Sequence, residues 1–188
     1  MRARRFRSAA AAAVCALLLS GCRTTLLISS SPDPQAFPPF EFAGMSGRYF
    51  GELSFDVPVK VREEQYDIVR VDIFAAIRAD TLVTSGSFVL EVDLYLGLES
   101  GDRYFDDPAR VEYLTTVAIV AQGEVHHVRV RDPRLIEAAL QREAFYLKGV
   151  LRLSSTAPTA GRVTIDGVYF DAYLERDTSG LVPLLYFF

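Results

Sequence analysis

Two histidines, one acidic stretch and two cysteines are the residues of this 188-residue sequence whose types could do chemistry. His126 and His127 are adjacent. In a strand, neighbours point to opposite faces, so the two rings cannot close on one metal ion from the same side. The ordinary reading, a strand pair with one ring half-buried, is the stronger one. Glu99, Asp102 and Asp106 form the best candidate for a hard cation, because calcium takes several oxygen ligands from a loop between strands. The Asp-x-Asp-x-Asp-Gly spacing of a dedicated calcium loop is absent, and Asp107 before Pro108 reads as a helix cap, so no metal is expected. Glu63, Glu64 and Asp67 read as another solvated loop.

Nucleophilic catalysis finds no better support. Neither Gly-x-Ser-x-Gly nor Ser-x-x-Lys occurs. Ser85 and Ser87 flank Gly86 in what reads as a hairpin turn. Two carboxylates could act on a glycosidic bond, but there is no tryptophan to stack a sugar. Gly44-Met45-Ser46-Gly47 follows no phosphate-loop pattern and reads as a turn. The sequence therefore predicts no catalytic residue and no cofactor, and the protein is expected not to be an enzyme.

The elements that must position these residues are mostly strands. Val69, Val71, Ile73, Ala75 and Ile77 alternate with Arg70, Asp72, Phe74, Ala76 and Arg78. Leu90 to Leu98 alternates with Glu91, Asp93, Tyr95, Gly97 and Glu99. Each run has one apolar face and one mostly wet face. Further strands are predicted at 48–57, 113–121, 124–131, 145–154 and 162–175. Thr84-Ser85-Gly86, Ser100-Gly101-Asp102, Gln122-Gly123 and Pro158 to Gly161 separate them. One short helix is predicted near 133–143, with Asp132 as N-cap and Pro133 at its first position. Many half-buried strands with one helix predict a mainly β chain, an antiparallel β-sandwich. A β-barrel is the rival, since period two alone does not choose.

The start of the chain has another character. Arg2, Arg4, Arg5 and Arg7 precede an apolar run from Ala9 to Leu19, too short to span a membrane, and then Leu19-Ser20-Gly21-Cys22. That tetrapeptide resembles the lipobox of bacterial lipoproteins. The resemblance covers only the leader, and it implies cleavage between Gly21 and Cys22 and a lipid on the Cys22 thiol. It also implies a bacterial cell-envelope location. Arg23, rather than an aspartate, favours the outer membrane facing the periplasm. The implied layout is a signal peptide at 1–21, a lipidated flexible tether at 22–40 and a single domain at 41–188. Ser29 to Pro34 and Pro38-Pro39 are the turn-prone residues of that tether, while Leu26-Leu27-Ile28 is apolar enough to dock on the domain or the membrane instead.

Composition then narrows the partners. The net charge is −4, and loss of the leader's four arginines makes it about −8. Only Lys60 and Lys148 are lysines, so no basic cluster exists for nucleic acid. Cys15 leaves with the leader and Cys22 carries the lipid, so no disulfide or zinc–thiolate site is expected. Aromatic residues are the least ordinary feature: Tyr49, Phe50 and Phe55 early, and Tyr169, Phe170, Tyr173, Tyr186, Phe187 and Phe188 late. Val182, Leu184, Tyr186 and Phe188 alternate in a way that resembles the last strand of outer-membrane β-barrels, interrupted by Pro183. Tyr186, Phe187 and Phe188 are the candidate partner-binding residues. Two functions follow as expectations: a structural or protein-binding module of the envelope, or a periplasmic carrier of an apolar ligand such as a lipid.

Overall fold

In the computed structural model, residues 23–30, 33–63, 66–101, 105 and 107–177 are described. The elements run β1 (Arg23–Ser29), β2 (Phe40–Asp56), α1 (Val59–Glu63), β3 (Asp67–Thr84), β4 (Phe88–Gly97), β5 (Val111–Ala118), β6 (Val125–Arg131), α2 (Ile136–Leu140) and β7 (Ala144–Asp177). All pairings are antiparallel. The 34-residue β7 is the spine of the molecule. Along one edge it carries β1 and then β2; along the other it carries β3 and then β4. β6 extends the sheet beyond β3, and β5 extends it beyond β4.

This long ribbon folds over on itself. Strand pairing lapses on both edges across residues 156–158 of β7, where β2 skips from Thr159 to Ser154 as its register partners and β3 gives way to β4. Pro158, which has no N–H to donate, sits in that gap. The fold brings Phe145 and Phe170, both on β7, to 5.2 Å between ring centroids, and Phe55 of β2 to 5.6 Å from Phe170. The result is a mainly antiparallel β-sandwich. Its first sheet is β2 from Ser46 onward, β7 to about residue 155, β4 and β5; its second is β1, the start of β2 at Phe40–Gly44, the rest of β7, β3 and β6. Inward residues follow the predicted period: Val71, Ile73, Ala75, Ile77, Leu90, Val92, Leu94 and Leu96 are all buried. The interior is tightly filled. A Cβ at Gly149 would lie 3.2 Å from Phe40 and 3.3 Å from Ile165.

Several local expectations are corrected. Residues 23–40 are not a free tether: Arg23–Ser29 pairs with Asp177–Asp171, Gln35 bridges Val168, and Phe37 and Phe40 are buried in the core. Leu26 and Ile28 explain this, since they pack against that core on the inward side of β1. The Thr84-Ser85-Gly86 segment makes no hairpin, because β3 and β4 run in the same direction along one edge of β7. It is a corner held close to the bend, where a Cβ on Gly86 would lie 2.7 Å from the Ala157 Cβ. Pro158 to Gly161 bends a strand instead of separating two. Asp132 does not cap the helix. Its backbone takes φ 46°, and its Oδ1 accepts from the Val71 N–H at 2.7 Å, which leaves the helix at only Ile136–Leu140. Glu112 on β5 accepts from the Arg134 and Leu135 N–H groups just before it. The five-residue α1 had no counterpart in the predicted elements.

Candidate functional site

The outer face of the first sheet is built from residues that alternate with its core positions. Register sets them in rows across the strands. Glu52, Lys148, Tyr95 and Tyr113 form one row; Phe50, Val150, Asp93 and Thr116 form the next; Arg48, Arg152 and Glu91 the third. Lys148 therefore stands directly opposite Glu52, and Arg152 opposite Glu91, the arrangement that stabilises cross-strand pairs.

Lys148 is completely buried although it points away from the core. Its Nζ lies 3.1 Å from Glu52 Oε2, donates to the Gly101 carbonyl, and sits 5.1 Å from the centroid of Phe105. A buried ammonium needs such company, since desolvation without a partner costs several kcal/mol. Gly97 makes room for it: a Cβ there would fall 2.4 Å from Lys148 Cε. Burial pushes the Glu52 carboxyl up, but hydrogen bonds from Ser100 Oγ and the Gly101 N–H, together with Lys148, hold it below its ordinary value. Asp93, also buried, receives Arg152 at 2.8 Å and 2.9 Å and a hydrogen bond from Thr116. Glu91 pairs with the same guanidinium at 3.1 Å.

Beside these charges runs a line of rings. Phe50 and Phe105 lie 5.6 Å apart, Phe105 and Tyr95 5.2 Å, and Tyr95 and Tyr113 5.7 Å. The line crosses from β2 to β5, and its two ends are open, Phe50 49% and Tyr113 55% exposed. Burial, and then the nearby Asp93, push the Tyr95 hydroxyl pKa up, so this ring stays neutral. Three shallow clefts share this face. One of about 470 Å³ is lined by Arg48, Glu91 and Arg152. A second of about 530 Å³ lies between Tyr95, Tyr113 and Arg134, and a third of about 260 Å³ between Phe50, Glu52 and Phe105.

The residues singled out from sequence are mostly elsewhere. Gly21, Cys22, Asp102, Asp106, Tyr186, Phe187 and Phe188 lie outside the described residues. Glu99 is held by Arg110 and, at 3.6 Å, by Arg142. Among the described residues no group of three metal-ligating side chains occurs. His126 and His127 do point to opposite faces, half-buried and exposed respectively, with His126 Nε2 3.7 Å from Glu124. Phe55 and Phe170 are core, whereas Phe50 belongs to the outer face. The ring line itself was missed in the sequence, although Tyr95 and Asp93 stood on the wet side of the Leu90–Leu98 alternation.

No protein-family model matches the chain, and no curated protein does. Among solved structures, the chain is similar to TmCBM61, described in complex with beta-1,4-galactotriose (9% identity, 78% of this chain and 86% of that one, TM-score 0.38). It is also similar to a structure of carbohydrate-binding modules from the β-sandwich superfamily (11%, 79% and 54%, 0.41) and to the VP2 subviral particle of infectious bursal disease virus (12%, 81% and 39%, 0.33).

Proposed function

We propose that this protein is a lipid-anchored envelope lipoprotein whose β-sandwich is a non-catalytic binding module. It receives a protein partner on the outer face of the first sheet. The observation that carries this reading is the line Phe50–Phe105–Tyr95–Tyr113, crossing the sheet beside the Arg152 and Asp93 ladder. Tyrosine and arginine beside desolvated charge pairs are the residues that dominate protein interfaces. Successive rings are turned by 56°, 89° and 70°. They therefore present edges and corners, which suits side-chain knobs better than the flat face of a sugar. The carboxylates of this face are each engaged by a cation, Glu52 by Lys148 and Asp93 and Glu91 by Arg152, an arrangement that fits a binding surface. The tightly filled interior supports docking on the outside over carriage of a lipid between the sheets.

The anchor rests on Leu19-Ser20-Gly21-Cys22, and Arg23 after it favours the outer membrane facing the periplasm. Cys22→Ala is expected to leave a longer, unprocessed precursor on a denaturing gel, and the intact mass of the purified wild type is expected to match Cys22–Phe188 plus acyl chains. A photo-crosslinking side chain at position 113 is expected to give one discrete protein adduct in cells, abolished by Phe50→Ala. Absence of any adduct at 113 would sink the docking face, and a mature Cys22→Ala chain held in the membrane would sink the anchor.

A further inference from the structure

β2 lies at an edge of the first sheet. It pairs with β7 on one side, and among the described residues no strand pairs with its other side over Ser46–Asp56. Two bonds fix which backbone groups point to that open side. The Val57 N–H donates to the Glu143 carbonyl just before β7, whereas the Ser54 carbonyl accepts from the Gln35 side chain. Backbone direction alternates along a strand, so Ser46, Arg48, Phe50, Glu52 and Ser54 turn their N–H and C=O groups to the open edge. Natural sheets guard such edges with lysine, proline or a bulge. Here a bulge between Gly44 and Ser46 and the ring of Pro58 bound the edge, and neither lysine nor proline falls between them.

The side chains along this edge are self-complementary about Phe50: Ser46, Arg48, Phe50, Glu52, Ser54. Antiparallel pairing with a second copy in that register sets Phe50 against Phe50, each Arg48 against Glu52 of the second copy, and each Ser46 against Ser54, as a two-fold contact requires. Arg48 lacks an anion in its own chain. It is exposed, it has no carboxylate partner among the described residues, and its register partner on β7 is another cation, Arg152. Glu52 accepts from Ser100 Oγ, the Gly101 N–H and Lys148, and a carboxylate offers about four acceptor positions, so one is left for a guanidinium. Two other edges lack this match. β6 carries Arg129 and Arg131 on one face, so self-pairing there brings like charges together. On β5, Glu112 is taken up by the Arg134 and Leu135 N–H groups.

We infer that the protein forms a two-fold dimer through the open edge of β2, centred on Phe50. Each residue that faces the edge exchanges an N–H···O bond in both directions with its opposite, about ten bonds in all, with Gln35 giving up the Ser54 carbonyl. The joined sheet runs β5-β4-β7-β2 and then the same strands in reverse order. Both outer faces then look the same way, and the two ring lines meet at Phe50. The inference goes beyond the docking reading above and stands without it.

The full chain would be produced with Ser46→Cys, with Ser54→Cys, and with the two variant chains together. Across the dimer positions 46 and 54 lie about 5.5 Å apart between Cα atoms, within disulfide reach, whereas each lies roughly 27 Å from the same position of the second copy. After mild oxidation the expected result is a covalent dimer in the joint sample, joined through positions 46 and 54 as read by mass spectrometry of the linked peptides. Neither variant alone should link at those positions. In sedimentation with density-matched detergent the wild type should weigh as a dimer. Arg48→Glu, which sets carboxylate against carboxylate at two places, should raise the dissociation constant about tenfold or more. A monomeric wild type, equal linkage in the single-variant samples, an Arg48→Glu chain that dimerises as tightly as wild type, or linkage to a different protein instead overturns the inference. The adduct at position 113 tests the docking face separately, so either reading can fail alone.

Discussion

The two outer faces of the sandwich solve one electrostatic problem with opposite charges. On the first sheet a cation, Lys148, is fully buried and has one carboxylate partner, Glu52. On the second sheet an anion, Asp72, is 1% exposed and has three guanidiniums, Arg129 at 3.0 Å, Arg70 at 3.0 Å and Arg131 at 3.5 Å. Two of those arginines are themselves stacked, Arg70 over Tyr173 at 4.4 Å and Arg129 over Phe74 at 5.4 Å, while Phe74 lies 4.5 Å from Tyr169. Asp72 also stands opposite Asp171 in the register, so it needs cations on its other side. The difference is one of redundancy. On the first face Lys148 hangs on a single carboxylate under a ring; on the second Asp72 sits in a net of three guanidiniums, none of them indispensable.

The largest effect is expected where redundancy is absent. Glu52→Ala strands the Lys148 ammonium with only a carbonyl and the Phe105 ring, and should lower unfolding free energy in urea by on the order of 3 kcal/mol. Adding Lys148→Met should return most of that loss, since a buried pair replaced by apolar groups is often neutral. If Glu52→Ala were silent, the keystone reading of this face would be wrong. On the second face Arg129→Ala alone should cost less than Glu52→Ala. The triple change of Arg70, Arg129 and Arg131 to Ala should cost far more than Arg129→Ala, with Asp72→Asn restoring stability in the triple background. Equal losses for single and triple variants would break the net.

Acid should sharpen the contrast. The hydrogen bond from Arg129 leads the causes that hold Asp72 below its ordinary pKa, against the opposing effect of burial; Glu52 is held low as well, against the larger upward push of burial. For a group with a folded pKa below its unfolded one, the unfolded chain binds more protons in between, so stability rises with pH there. The contribution is whole above the ordinary carboxylate range and is lost as pH falls through the lower folded values. Urea midpoints measured at pH 6 and pH 3 should therefore differ less in the Asp72→Asn triple-arginine background than in the wild type. The smallest effect on stability is expected at the open ends of the ring line. Phe50→Ala and Tyr113→Ala should each shift unfolding by no more than about 1 kcal/mol, while removing partner binding. A large loss of stability there would recast the line as packing alone.

Much of this architecture is visible in the linear chain. The alternations of Val69–Ile77 and Leu90–Leu98 name the inward face correctly from Val71 onward, because period two survives any tertiary context that buries one side; Val69, displaced by the register shift between Ile68 and Arg70, is exposed instead. What failed is the connection of runs. Thr84-Ser85-Gly86 and Pro158 to Gly161 carry turn chemistry, and turn residues serve equally at a corner of a continuing ribbon. Arg23–Ser29 escaped notice because its partner lies 142 to 154 residues away in sequence for Ser29 and Arg23, and seven residues flanked by serines and prolines resemble a linker. The site was half legible. Glu91, Asp93 and Tyr95 stood on the wet side of a strand, but the line they join includes Phe105 from a loop and Phe50 from a strand that pairs with β7 on its other edge. Neighbourhood across four strands is set by register, which no local pattern encodes.

The length of β7 has a consequence for how the molecule comes into being. β1, β2, β3 and β4 all find hydrogen-bond partners on residues 144–177, and among the described residues only the β3–β6 and β4–β5 strand pairs form without it. A chain synthesised up to Glu143 thus lacks the strand that joins its parts, and long-range pairing of this kind is slow to form. Until the spine arrives the earlier segments have no sheet to enter, and a polypeptide delivered N-terminus first through a narrow channel would remain threadable for most of its passage. The sheet that joins the two halves therefore requires residues 144–177 before it can close.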